Sequence, residues 1–262
     1  MDLNIKFYIK IVLVLILTSC TSKINLPHSE DANTKQEVKE DSLFLFDKSR
    51  NRSIPVALYL PNSETKIENQ KVVLLSHCYN QNKLGTNKYY SFITKNLASK
   101  GYFVISIQNE LPTDELLPTQ GDLKVLRKPI WDRGCENVLF VINEFKKSNP
   151  ELDFKHLILI GHSNGGDITM LFSHKYPNLV DKIISLDNRR VDFPRISKPK
   201  IYSLRSSDQV ADEGVLPTDE EQKKFNIRII QLKNTIHNDM MDSATKKQKK
   251  EMNKYIEEFI SE

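Results

Sequence analysis

Glycine is scarce in this chain, with eight among 262 residues. Any local gathering of glycines therefore needs a local cause. Cysteine is scarcer still, at three residues. With Cys20 assigned to another task below, Cys78 and Cys135 remain as one pair, either a disulfide or two free thiols. No apolar run approaches the about 20 residues that span a bilayer as a helix. No internal repeat recurs, and nothing in the chain reads as an added propeller or large cap domain. Strong charge is also missing: the formal net charge is +4. The basic residues concentrate in the closing segment (Lys246, Lys247, Lys249, Lys250, Lys254), where Glu251, Glu257 and Glu258 accompany them. That mixture is a solvated helix face, not a nucleic-acid surface. With 39% apolar and 27% charged residues, the composition is that of an ordinary globular protein. Its length suffices for one domain with a large core.

The N-terminus reads as a targeting segment. Lys6 and Lys10 precede the short apolar run Ile11–Leu17, which has the dimensions of a signal peptide. The run ends in Leu17-Thr18-Ser19-Cys20, which resembles a bacterial lipobox. The resemblance implies a lipoprotein signal peptide over residues 1–19, cleaved before Cys20. Acyl chains such as palmitate on Cys20 would then anchor the chain to a membrane of the bacterial cell envelope, folded part on the exported side. An ordinary secretory signal with an incidental cysteine is the plainer alternative. Residues 20–41 are polar and read as a flexible tether; residues 42–262 read as the folded domain.

From Leu43 on, strand and helix patterns alternate. Strands are expected at Leu43–Phe46, Val56–Leu60, Val72–Leu75, Tyr102–Ile107, Leu157–Ile160, Lys182–Leu186, Lys200–Leu204 and Ile227–Leu232. Helices are expected at Tyr89–Ser99, Trp131–Lys147, Gly165–Tyr176 and Ala244–Ile260. Residues 109–130, with three prolines, read as an irregular loop that could wall a pocket together with Trp131. The alternation predicts an α/β fold: a mostly parallel sheet of about eight strands with helices on both faces. Sites in such sheets form at the carboxyl ends of strands.

Three of the eight glycines fall between 161 and 166, in Gly161-His162-Ser163-Asn164-Gly165-Gly166. An apolar strand precedes this stretch and a helical pattern follows it. A sharp strand-to-helix turn with Ser163 at its apex supplies the cause of the clustering. A serine hydroxyl is a poor nucleophile until a base takes its proton. Of six histidines, His28 lies in the tether and His156 precedes its strand. His162 points away from Ser163, and His174 lies far down the next helix. His77 and His237 follow strands. His237 is the expected base, and His77 reads as a hydrogen-bonded structural histidine. Asp208 and Asp187 both follow strands and either could orient the base; Asp212 and Asp239 are weaker candidates. The backbone N–H groups of Tyr79 and Asn164, with Cys78 as a further possibility, are the expected donors to a developing oxyanion. Arg189, Arg190 and Arg195 read as surface ion-pair residues rather than an anion-steering set.

These residues resemble the α/β-hydrolase superfamily, in the order Ser163, Asp208, His237 and over about residues 43–262. Ser76-His77-Cys78-Tyr79 looks like the oxyanion loop of the dienelactone-hydrolase, cutinase-like and platelet-activating-factor-acetylhydrolase branches. Cys78 stands where those branches usually carry glycine. Cutinase-like and dienelactone-hydrolase-like members place the acid where Asp208 stands; the acetylhydrolase branch places it in a Leu-Asp context like Leu186-Asp187. The resemblance implies a serine hydrolase that needs no metal and no organic cofactor; a monomer is expected. It would act through an acyl-enzyme on a small-molecule or lipid ester. A non-catalytic binding lipoprotein on the same fold, or an amidase or peptidase, are the alternatives.

Overall fold

Ten consecutive backbone pairings join Val38–Asp47 (β1) to Arg52–Pro61 (β2) and begin the sheet. The computed structural model describes residues 37–63 and 67–262. The lipobox-like segment with Cys20, His28 and most of the expected tether lie outside the described residues. β3 (Lys71–Ser76), α1 (Ser91–Ala98), β4 (Phe103–Ile107) and α2 (Leu123–Ser148) follow. Next come β5 (Asp153–His162), α3 (Asn164–Lys175), β6 (Lys182–Leu186), β7 (Lys200–Arg205), α4 (Asp219–Phe225), β8 (Arg228–Gln231) and α5 (Lys246–Ser261). The eight strands form one sheet in the order β1-β2-β4-β3-β5-β6-β7-β8. β1–β2 and β2–β4 pair antiparallel, and every other pair is parallel.

Strand periodicity divides the core into two. On β3, Val72 and Leu74 face a cluster with Val138 and Val141 of α2 and Ile168 and Phe172 of α3. Val73 and Leu75 face a second cluster with Ile93 and Leu97 of α1 and Met252, Ile256 and Phe259 of α5. Side chains alternate faces every residue, so a continuous apolar strand serves both layers. Cys135 belongs to the first cluster and Cys78 to the second. Both are buried free thiols on opposite faces of the sheet, which removes the disulfide alternative.

β2 and β5 each begin four residues earlier than expected, and β1, α2 and α4 depart further. β1 begins at Val38, inside the segment read as tether. Most side chains along it are exposed, so Lys39-Glu40-Asp41-Ser42 carries no apolar signal although its backbone pairs fully with β2. α2 begins at Leu123, not Trp131: the Asp122 carboxylate accepts the N–H groups of Lys124 and Val125 at 3.1 and 3.3 Å. Pro129 lies within that helix instead of marking a loop. α4 was not expected at all, yet Thr218 and Glu221 form a complete capping box at its start, a four-residue signal legible in the sequence.

Near the end of α5, Phe259 stacks on Tyr202 of β7 with ring centroids 4.5 Å apart, and both are fully buried. Phe259→Ala is expected to lower stability by about 3–5 kcal/mol, read as a reduced urea midpoint at unchanged slope.

Candidate active site

β5 ends at His162 and α3 starts at Asn164, so Ser163 alone turns the chain. It does so at φ 54°, ψ −118°, a conformation that a residue with a side chain holds only when its surroundings enforce it. The surroundings are backbone. A Cβ on Gly165 would lie 2.3 Å from the Ser76 carbonyl oxygen and 2.4 Å from that of His77. A Cβ on Gly161 would lie 2.2 Å from the Gly165 carbonyl oxygen. The glycines gather here because strand, turn and helix pack main chain against main chain.

Register then decides which residues meet. His162 pairs with Leu186 and Leu186 with Leu204, so Ser163, Asp187 and Arg205 form the next row along β5, β6 and β7. The Ser163 N–H donates to the Leu186 carbonyl, and the Asp187 N–H to that of Leu204, each at 2.9 Å. His237 descends onto this row from the loop after β8. Its Nε2 accepts the Ser163 Oγ–H at 2.9 Å, and its Nδ1–H donates to Asp187 Oδ2 at 2.6 Å. Each ring nitrogen thus has the role that the neutral Nδ1–H tautomer allows.

The carboxylate on His237 is therefore that of Asp187, not the expected Asp208. Asp187 is fully buried while Asp208 is exposed. Asp187 is the first residue beyond β6 and turns inward at φ 58°. Asp208 lies three residues beyond β7, and its Oδ1 accepts the backbone N–H of His237 at 2.7 Å. It anchors the histidine loop without touching the ring. Around Asp187, Ser206 donates its N–H at 3.0 Å and its hydroxyl at 2.6 Å. The buried Arg205 guanidinium lies 3.0 Å from Oδ1. Burial alone would raise the Asp187 pKa; the bonds from His237 and Ser206 and the charge of Arg205 outweigh it and hold the carboxyl below its usual range.

The other expected residues fall into place around this row. The His77 Nδ1–H donates to the Cys78 carbonyl at 2.5 Å, and Nε2 accepts the Asn109 N–H at 3.0 Å, a structural role. The Cys78 N–H donates to the Tyr90 hydroxyl at 2.9 Å, so it is engaged and does not join the oxyanion donors. Among the described residues no acceptor takes the N–H of Tyr79 or Asn164. The Tyr90 hydroxyl donates in turn to His162 Nδ1 at 2.9 Å. Burial, then the nearby His237, lowers the His162 pKa to about 3, so this ring stays neutral. His156 pairs with Asp153 at the far edge, and His174 meets the Asp192 carbonyl. Arg189 and Arg190 face Asp212 at 3.3 and 3.9 Å, and Arg195 pairs with Glu221 at 3.2 Å. Trp131 is buried, and its Nε1–H donates to the Asn164 side-chain oxygen at 2.8 Å.

Two neighbours carried no sequence signal. Arg205 follows a strand like many surface arginines, and Glu110 sits in a polar loop. Glu110 is 2% exposed, and its Oε1 accepts Asn164 Nδ2–H at 2.7 Å. Burial raises its pKa to about 7. Among the described residues, no three His, Cys, Asp or Glu side chains gather to hold a metal. A hydroxyl hydrogen-bonded to an imidazole, with a buried carboxylate behind it and two free N–H groups beside it, can support nucleophilic acyl transfer.

No family model matches the chain. Over 72 residues it is 38% identical to ethanol acetyltransferase 1 of Eremothecium cymbalariae, covering 27% of this chain and 20% of that protein. The match thus spans about a fifth of that relative's length. Among solved structures, an esterase from Rhizomucor miehei superposes with a TM-score of 0.63 at 11% identity, covering 88% of this chain and 84% of its own. A bacterial heroin esterase gives 0.59 at 12%, covering 88% and 86%. A dienelactone hydrolase-like phosphotriesterase from metagenomic libraries gives 0.59 at 11%, covering 86% and 98%. With the strand order above, these likenesses show that the chain has the α/β-hydrolase fold.

Two substitutions separate the aspartates. Asp187→Asn is expected to lower kcat for any acyl transfer at Ser163, assayed with a p-nitrophenyl ester, by about ten-thousand-fold. Asp208→Asn keeps an oxygen that can accept the His237 N–H, loses only the charge and is expected to cost less than about tenfold. Gly165→Ala tests the elbow: the added methyl group has no room, and thermal unfolding should show a loss of more than about 1–3 kcal/mol.

Proposed function

We infer that the chain is a serine hydrolase that cleaves a carboxylic ester through an acyl-enzyme. The observation that carries this reading is the hydrogen-bonded chain from Ser163 Oγ through His237 to Asp187. Ser163 Oγ attacks the acyl carbonyl carbon while His237 Nε2 takes its proton. The carbonyl oxygen becomes an oxyanion facing the N–H groups of Tyr79 and Asn164. The imidazolium formed is stabilised by the Asp187 carboxylate. Collapse of the tetrahedral intermediate breaks the ester bond, and His237 returns the proton to the leaving alcohol. Water, activated by the same histidine, releases the acid and regenerates Ser163.

The lipobox-like sequence supports a position on a bacterial membrane surface. Acylated Cys20 would hold the hydrolase domain at the exported side of the cell envelope, near ester substrates that partition into lipid. The short match to an ethanol acetyltransferase favours a second outcome of the same chemistry, in which an alcohol replaces water at the deacylation step.

Residues 37–262 should hydrolyse p-nitrophenyl acetate or butyrate and react with a fluorophosphonate probe. Ser163→Ala should abolish both while leaving the thermal midpoint near that of the parent. A well-folded parent that shows neither would refute the hydrolase reading. Adding ethanol and quantifying ethyl butyrate by gas chromatography separates transfer from hydrolysis.

A further inference from the structure

A buried carboxyl oxygen without a partner lies beside the candidate oxyanion donors. Glu110 Oε2 is inaccessible and accepts no hydrogen bond. Its sibling Oε1 holds the Asn164 amide at 2.7 Å, and Trp131 holds the other end of that amide at 2.8 Å. Asn164 is the residue after Ser163. Oε2 itself lies 3.5 Å from His77 Nε2, at the start of the loop that carries Tyr79. Glu110 therefore touches both segments from which the two N–H groups emerge.

The His77 ring fixes the sign of that contact. Its Nδ1 carries the proton given to the Cys78 carbonyl, and its Nε2 lone pair accepts the Asn109 N–H. An ionised Glu110 would set a full negative charge against a lone pair in a buried site. A proton on Oε2 removes that repulsion and lets the O–H share the Nε2 lone pair with the Asn109 N–H.

We propose that Glu110 is a positioning residue that works as a neutral carboxylic acid, clipping the Ser163 elbow to the loop after β3 and setting the spacing of the Tyr79 and Asn164 N–H groups. The proposal rests on the hydrolase reading above. Burial is the largest influence on the carboxyl and raises its pKa to about 7; the Asn164 bond and Arg133 pull the other way, and Asp114 adds to the rise. The titratable groups around it are His77 and Cys78 from the loop after β3, Tyr90 before α1, Asp114 from its own loop and Arg133 from α2. Arg133 is already engaged with Glu115 at 2.6 Å and Asp114 at 3.6 Å, and His77 is held neutral by burial, its pKa lowered to about 4. Above pH about 7 the clip ionises, and its negative charge opposes the oxyanion.

The test compares wild type, Glu110→Gln and Glu110→Ala from pH 6 to 9 on p-nitrophenyl butyrate, with the uncatalysed rate subtracted. Glutamine reproduces the acid: its carbonyl accepts from Asn164 and its amide donates to His77. Wild-type kcat should fall about tenfold or more between pH 7 and 9, following one ionisation. Glu110→Ala should lower kcat at every pH with little change in KM. Glu110→Gln should restore kcat at pH 6 and flatten the decline. A Glu110→Gln profile that overlays the wild type, or a rate as poor as alanine's at pH 6, overturns the proposal.

Urea unfolding decides the proton assignment even if no ester is cleaved, so failure of the hydrolase reading is seen separately. A folded-state pKa above the unfolded value gives stability that is present at low pH and lost as pH rises through about 7. The wild-type midpoint should therefore fall from pH 5 to pH 8 by more than that of Glu110→Gln. Equal pH dependence in the two proteins overturns the neutral-acid clip.

Discussion

Parallel pairing of β5, β6 and β7 sets His162, Leu186 and Leu204 side by side, so that Ser163, Asp187 and Arg205 leave the sheet in one row. Everything at the candidate site is arranged on that row. The sheet's own hydrogen bonds continue one residue past its last pairs, through the N–H groups of Ser163 and Asp187. Hydroxyl and carboxylate are thus both held by backbone bonds that extend the sheet. Only His237 comes from a loop, and that loop is fastened by Asp208 beneath its backbone. Positions built on strands tolerate less drift than positions built on loops.

The row also concentrates charge where water is excluded. Asp187 is fully buried, with Arg205, Ser206 and His237 around its two oxygens. A buried ion pair contributes little net stability, because removing both charges from water costs about as much as their attraction returns. Its value here lies in orientation. Ser206 donates to both carboxylate oxygens and the Arg205 charge stands beside Oδ1, so the carboxylate is held with Oδ2 toward the histidine. Across the elbow, Tyr90 plays a similar part by accepting from Cys78 and donating to His162. The Cys78 side chain belongs to the core cluster that also holds Tyr90 and Ile160.

Much of this is legible in the amino-acid sequence. The alternation of apolar strands and amphipathic helices prescribes a parallel sheet, and three glycines around Ser163 prescribe backbone packed on backbone. His237 emerges once each histidine is asked whether it follows a strand. The acid does not emerge that way, because Asp187 and Asp208 both pass. What separates them is the number of residues past the strand and the direction of one turn, and the latter is settled only when the chain is folded. Glu110 is harder still: a glutamate in a polar loop normally faces water, and its burial depends on Trp131, Asn164 and His77 converging from three other segments. The start of β1 was hidden for the opposite reason. An edge strand with most of its side chains in solvent needs no apolar pattern, since the β2 backbone supplies its pairing.

The two described thiols give the molecule a pair of internal reporters. Cys78 and Cys135 lie on opposite faces of one sheet, each sealed in a different hydrophobic layer. Burial lifts both thiols above their ordinary pKa, Cys135 to about 12, so neither presents a reactive thiolate in the closed state. Alkylation of either one therefore counts openings of its own layer. If the layers come apart together, the two sites modify at one rate, set by global unfolding. If the helix pair α1 and α5 loosens before α2 and α3, Cys78 modifies first, and the chain reports the order in which its two halves yield.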